Sequence, residues 1–177
     1  MPNIIAFDLE TQYTADEVGG WDHIRKMRLA VAVTYDPVTD TFRDYVEQDV
    51  NLLLADLHRA DLVVGYNLLR FDYEVLRAYT DDNLLSLPTV DMLVHLYRTL
   101  GWRPKLGDLA AATLDETKTG DGLDAVRWFR QGQLDKVIAY CRQDVQVTWR
   151  LYEFGHRNGY VQYRDRNWRV QRVPVRW

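Results

Sequence analysis

Residues 3–11, NIIAFDLET, decide how the rest of the chain is read. Apolar side chains fall on both parities, Ile4 and Ala6 against Ile5 and Phe7. That is the pattern of a strand covered on both faces, as in a layered α/β domain. The same stretch ends in two acids, Asp8 and Glu10. Residues i and i+2 of a strand point to one face, so the two carboxylates are neighbours. Ionised carboxylates that close repel each other unless a cation lies between them. A strand end that has reached solvent would hydrate them instead, and the pair alone leaves both readings open.

Outward from this strand, RLAVAVTYD (28–36) reads as a second strand and TFRDYV (41–46) as a third, more polar one nearer an edge. NLLLADLHRA (51–60) has helical spacing and precedes DLVVGYN (61–67), a short buried strand. FDYEVLRAY (71–79) reads as a helix, LPTVD (87–91) as a strand, and MLVHLYRTLG (92–101) as a helix ended by Gly101. Helical stretches follow at 106–113, 123–131 and 133–155, and 160–173 reads as a hairpin turning at RDRN. Three strands followed by alternating strands and helices predict an α/β domain with a mixed five-stranded sheet. Its parts are a three-strand antiparallel meander and two parallel strands, with helices on both faces. Residues 1–157 are expected to form the domain, and 158–177 an Arg-rich hairpin extension of it.

The chain has 177 residues, 47% of them hydrophobic, which suits one folded domain and excludes general disorder. Its apolar runs are too short to span a bilayer, so no membrane is expected. No basic and apolar leader precedes the first strand, so no secretory signal is expected. The single cysteine, Cys141, rules out an internal disulfide framework and fits a reducing, cytoplasmic setting. The formal net charge of −4 looks wrong for a nucleic-acid binder. Its distribution says more: YVQYRDRNWRVQRVPVRW (160–177) carries five arginines against one aspartate, and a metal site would reverse the local sign of acids elsewhere.

Further acids strengthen the metal reading. VVGYNLLRFDYEVL (63–76) runs from a buried strand into a helix with Asp72 near the helix start, at the kind of strand-to-helix junction where open α/β sheets place their sites. By itself it reads better as an acid favoured by the helix dipole in the first turn. In YCRQDVQVT (140–148), Tyr140 and Asp144 are four apart and share a helix face. Asp144 borders an apolar stripe of Val137, Cys141, Val145 and Thr148, where a carboxylate is costly unless paired or metal-bound. Asp91 ends a strand too, and an N-cap for the next helix accounts for it as well as a place near the site does.

FDLET (7–11), GYNLLRFD (65–72) and YCRQD (140–144) resemble, in order, the three motifs of the DEDD superfamily of 3′–5′ exonucleases, which has the RNase H-like three-layer α/β/α fold. The spacing Y-x-x-x-D resembles the tyrosine subgroup; the histidine subgroup would need His where Ala139 stands. The match covers about residues 3–152. Within the superfamily the chain is similar to stand-alone or helicase-associated exonucleases related to the proofreading domain of family B polymerases, and LGDLAAATLDETKTGDG (106–122) also looks like that group.

The resemblance implies that Asp8, Glu10, Asp72 and Asp144 hold two divalent ions, with Asp8 bridging, and that Tyr140 orients the attacking water. Hard oxygen ligands favour Mg²⁺ or Mn²⁺; His23, His58, His95 and His156 are scattered, which disfavours zinc. Leu9 and Thr11 would line the 3′-terminal nucleotide and Asn67 would touch substrate; Leu9 also reads as core, and Thr11 and Asn67 as turn or strand-end residues. Lys118 could meet substrate phosphates. Arg98, Arg103 and Lys105 could meet phosphates, and Trp102, Trp128 and Phe129 could stack on bases, although core packing suits the aromatics better. The expected substrate is a single-stranded 3′ end, DNA before RNA. An exoribonuclease, or a non-catalytic module binding a helicase, polymerase or nucleic acid, is the alternative. The Arg-rich tail could clamp nucleic acid or dock a partner such as a helicase or polymerase, and a solvated edge strand guarded by charge accounts for it as well.

Overall fold

A computed structural model describes residues 2–116 and 121–177. Five strands, β1 (Ile4–Thr11), β2 (Leu29–Asp36), β3 (Thr41–Val46), β4 (Leu62–Gly65) and β5 (Thr89–Asp91), form one sheet in the order β3-β2-β1-β4-β5. The first three are an antiparallel meander, and β1, β4 and β5 run parallel. This is the mixed sheet that the pattern of strands and helices predicts.

The two parities of β1 explain the layers. Ile5, Phe7 and Leu9 pack on Leu53 and Leu57 of α1 (Val50–Arg59) and on Val75 and Leu76 of α2 (Tyr73–Leu76). Ala6, with Val31 and Val33 of β2, meets Ala125 of α5 (Gly122–Arg130) and Val137, Cys141 and Val145 of α6 (Leu134–Asn158). Asp8 and Glu10 share the parity of Ala6, so the face of β1 that carries them is the one α6 covers. A third cluster joins Val64 of β4 to α3 (Met92–Leu100), α4 (Leu106–Leu114), Leu151 of α6, and Val161 and Val173. The last two belong to a separate hairpin, β6 (Tyr160–Arg164) and β7 (Val170–Pro174). Among the described residues, no helix is long and apolar enough to cross a membrane.

The structure departs from the sequence pattern between β4 and α3. In place of a helix over 71–79, a single wide turn spans Leu68–Asp72, closed by the Tyr73 N–H on the Leu68 carbonyl, and α2 adds one turn. Tertiary contacts impose this. Asn67 is left-handed at φ 71°, and the Asp91 carboxylate accepts the N–H groups of Asn67 (2.9 Å) and Leu69 (3.0 Å). Asp91 also accepts from Leu93 (3.0 Å) and Val94 (3.4 Å), so it is the N-cap of α3 and the clamp of the preceding turn together. Gly65 allows the fold-back: a Cβ there would lie 2.4 Å from Leu68 Cγ. A second difference is a run of 3₁₀ turns, Trp21–Met27, which carries no clear periodicity and is anchored by buried Ile24 and Met27.

Candidate active site

β4 ends at Gly65, whereas β1 continues to Thr11. Their parallel pairing stops at Ala6↔Val64, leaving the end of β1 without a neighbour on that side. Asp72 fills the gap, its Oδ1 accepting the Leu9 N–H at 3.1 Å. β1 is also where the sheet order reverses, with β2 on one side and β4 on the other. A crevice at the carboxyl end of such a strand is where open α/β sheets bind ligands. Here it is a cavity of about 720 Å³.

Asp8, Glu10 and Asp144 meet in this cavity, each offering a carboxylate oxygen within 4.8 Å of the others. Glu10 and Asp144 are buried and Asp8 is half-buried. Asp72 lines the same cavity but stands outside that tight trio. Three negative groups this close, two of them buried, repel one another strongly, and a divalent cation is the simplest counter-charge. The trio could hold one, and the donor set is all oxygen, as hard cations require.

The electrostatics agree. Burial, opposed by hydrogen bonds from its own N–H and that of Leu9 and reinforced by nearby Asp91, pushes the Asp72 carboxyl up to about 8. Tyr140 hydrogen-bonds to Asp144; burial and then the charges of Asp144, Glu10 and Asp8 hold its hydroxyl far above the ordinary tyrosine range. It stays protonated at any working pH and can donate. Trp128 meets Tyr140 edge-on at 5.9 Å and fixes the ring.

Leu9 and Thr11, expected at the terminal nucleotide, line the cavity, and the Thr11 hydroxyl donates to the Tyr13 carbonyl at 2.9 Å. Asn67 does not line it; its side-chain oxygen accepts from Arg103 at the adjoining rim. Lys118 lies outside the described residues. Lys105 lines the cavity, whereas Trp128 and Phe129 pack into the α6 face of the core.

Two contributions have no strong sequence signal. Cys141 looks like one more apolar stripe residue, yet its buried thiol donates to Asp8, 3.4 Å from the carbonyl and 3.7 Å from Oδ2. Trp21, 65% exposed, reaches the cavity rim from the 3₁₀ segment and meets Phe71 edge-on at 6.2 Å. The start of α5 forms the opposite wall: a Cβ on Gly122 would lie 4.0 Å from Glu10 Oε2.

A family model of the RNase H superfamily matches residues 5–154. No curated protein sequence matches the chain.

Proposed function

The chain belongs to the RNase H superfamily, and from that premise we propose that it is a metal-dependent 3′–5′ exonuclease acting on single-stranded ends, DNA in preference to RNA. The observation that carries the reading is the trio of carboxylates within 4.8 Å, with Tyr140 beside it and Asp72 in the same cavity. The superfamily fold supports a nuclease; the order and spacing of the three motifs support the exonuclease, and Tyr140 the tyrosine subgroup.

Asp8, Glu10, Asp72 and Asp144 would hold two divalent cations, Mg²⁺ or Mn²⁺. When bound, the cations supply the positive charge that activates a water and stabilises the departing 3′ oxygen. The protein groups do the rest. Cys141 holds Asp8 in place from behind. Tyr140 keeps its proton and orients the water through its hydroxyl, since a hydroxyl held this far above neutral positions rather than deprotonates. Leu9 and Thr11 border the space for the terminal nucleotide. Water oxygen attacks phosphorus, the P–O3′ bond breaks, and the products are a nucleoside 5′-monophosphate and a strand one unit shorter with a free 3′ hydroxyl.

Degradation of 5′-labelled single-stranded DNA and RNA tests the reading, with Mg²⁺, Mn²⁺ or chelator and with the Asp8→Ala protein. A descending ladder that requires metal and Asp8, and is faster on DNA, is expected. Intact substrate in every lane would sink the enzyme and leave a binding module.

A further inference from the structure

The largest charge imbalance outside the cavity lies in the β6–β7 hairpin and the residues after it. Residues 160–177 hold a net +4 within a chain of net −4, so the remainder carries −8. Arg164, Arg166, Arg169, Arg172 and Arg176 are all exposed, and among the described residues none of them enters an ion pair. The one acid of the segment is occupied: the Asp165 carboxylate accepts the N–H groups of Asn167 (2.8 Å) and Arg169 (3.0 Å) and the Gln171 side-chain amide (3.0 Å). That shapes the turn; Arg172 lies over the Tyr160 ring at 4.2 Å, and Arg164, Arg166 and Arg169 around the turn are exposed.

Trp168, at the tip of the turn, is 78% exposed and left-handed at φ 61°. Glycine or asparagine is the usual occupant of such a loop position; a bulky residue is a steric outlier there. An indole that gives up conformational ease and buries almost nothing adds no stability, so its use lies in what it contacts.

The hairpin is tied to the cavity. Tyr163 of β6 meets Trp102 edge-on at 5.6 Å, and Trp102 is 44% exposed. Trp102 precedes Lys105, which lines the cavity, by three residues, a span of at most about 11 Å. Arg103 lies between them. Lys105, Arg103 and Trp102 thus join the cavity to Tyr163 and so to the arginines of the hairpin. The cavity is lined by Asp8, Glu10, Asp16, Asp72, Asp121 and Asp144 against Lys105, and without cations it repels a polyanion. Attraction has to come from outside it.

We propose that the hairpin, with Trp102, is a binding surface for single-stranded nucleic acid that holds the strand on the 5′ side of the end being cleaved. Arginines track the phosphates and Trp168 and Trp102 stack on bases, the combination that sequence-tolerant single-strand surfaces use. An acidic protein would be met by the arginines alone and gives no reason for an indole at a strained tip. The direction of the strand rests on the exonuclease reading; the binding does not.

The test is fluorescence anisotropy of a labelled 20-nucleotide DNA in chelator across a salt series, with the R164A/R166A/R169A triple variant and with Trp168→Gly. The triple variant is expected to raise Kd at least tenfold and to flatten the salt slope by about 2, at roughly 0.7 for each phosphate no longer neutralised. Trp168→Gly is expected to weaken binding about fivefold or more. Its melting temperature should be no lower than the parent's, because glycine takes the left-handed conformation freely. Parent-like Kd and slope in both variants would overturn the proposal. So would binding that polyglutamate displaces as well as DNA does and that ignores Trp168→Gly, since the surface would then serve an acidic protein. Hydrolysis separates the two readings. A parent that binds DNA through the hairpin but degrades none sinks the exonuclease and leaves the surface standing. A parent that degrades DNA, with variants of unaltered KM for both trinucleotide and 20-mer, does the reverse.

Discussion

Asp72 and Asp91 lie just beyond β4 and at the end of β5, neighbouring strands, and each is 2% exposed. Their surroundings differ in kind. Asp91 accepts four backbone N–H groups, from Asn67, Leu69, Leu93 and Val94, and its charge is consumed in shaping the turn and capping α3. Asp72 accepts two, from Leu9 across the sheet and from its own N–H, and faces a cavity already crowded with carboxylates. Equal burial therefore says nothing about role. The number of donors each acid has been given does differ: a carboxylate surrounded by protein N–H groups is spent on structure, and one with fewer donors keeps more capacity to accept from another partner.

The largest effect expected is on Asp72→Asn. The amide keeps an oxygen for the Leu9 N–H and removes the buried charge. Activity should fall about 10³-fold or more, equivalent to about 4 kcal/mol of barrier. The metal-free protein should nonetheless melt higher. The folded carboxyl, at about 8, lies above its ordinary value near 4, so the folded state holds the proton more tightly. The destabilisation is absent below about pH 4, grows as pH rises, and is complete above about pH 8. The gap in melting temperature between variant and parent, measured in chelator, should widen over that window. A variant that melts lower than the parent at pH 8 would erase the distinction between the two acids.

Asp91→Ala should do the opposite. Four N–H groups lose their acceptor, and a loss of about 3 kcal/mol lowers the melting temperature by roughly 6–12 °C. Calorimetry in chelator checks it. If this variant keeps its stability and loses metal binding, Asp91 belongs with the cation ligands and the comparison is reversed.

The two acids also mark what can be read from sequence. β1 is legible because its apolar residues occupy both parities and Asp8 and Glu10 share one of them, a local pattern that needs no tertiary information. The sheet, and α3 through α6 at close to their expected bounds, follow from spacing in the same way. Asp144 and Tyr140 are legible from their helical spacing beside an apolar stripe, and the structure places both against β1. The turn over Leu68–Asp72 is not, because two of the amides that shape it are held by an acid more than twenty residues away. Asp91 alone reads equally as a cap or a site residue; only its donor count decides. The 3₁₀ segment that brings Trp21 to the cavity rim lacks any periodicity to read.

A smaller effect is expected at Tyr140→Phe. The ring keeps its place against Trp128, and only the hydroxyl and its hydrogen bond to Asp144 are removed. Positioning of one water accounts for roughly 10- to 100-fold in kcat. Metal affinity, measured by calorimetric titration, should change little, because no ligand is removed. A large loss of metal affinity would make Tyr140 part of the cation site itself rather than an orienting group.

The smallest effect is expected at Cys141. Its thiol sits beneath Asp8 on the α6 face, buried, and burial together with the neighbouring carboxylates holds it well above the ordinary thiol range. It remains a neutral S–H donor, which suits the rear support of an anion. Removing it with Cys141→Ala leaves a small void and takes one weak donor from Asp8, about 1 kcal/mol in stability. Activity should drop about two- to fivefold, since Asp8 keeps its place on β1. Cys141→Ser restores a donor of similar size and should recover activity more than stability, because a hydroxyl is harder to bury than a thiol. If serine and alanine lose activity equally, the sulfur acts by filling space, and the support of Asp8 comes from the strand alone.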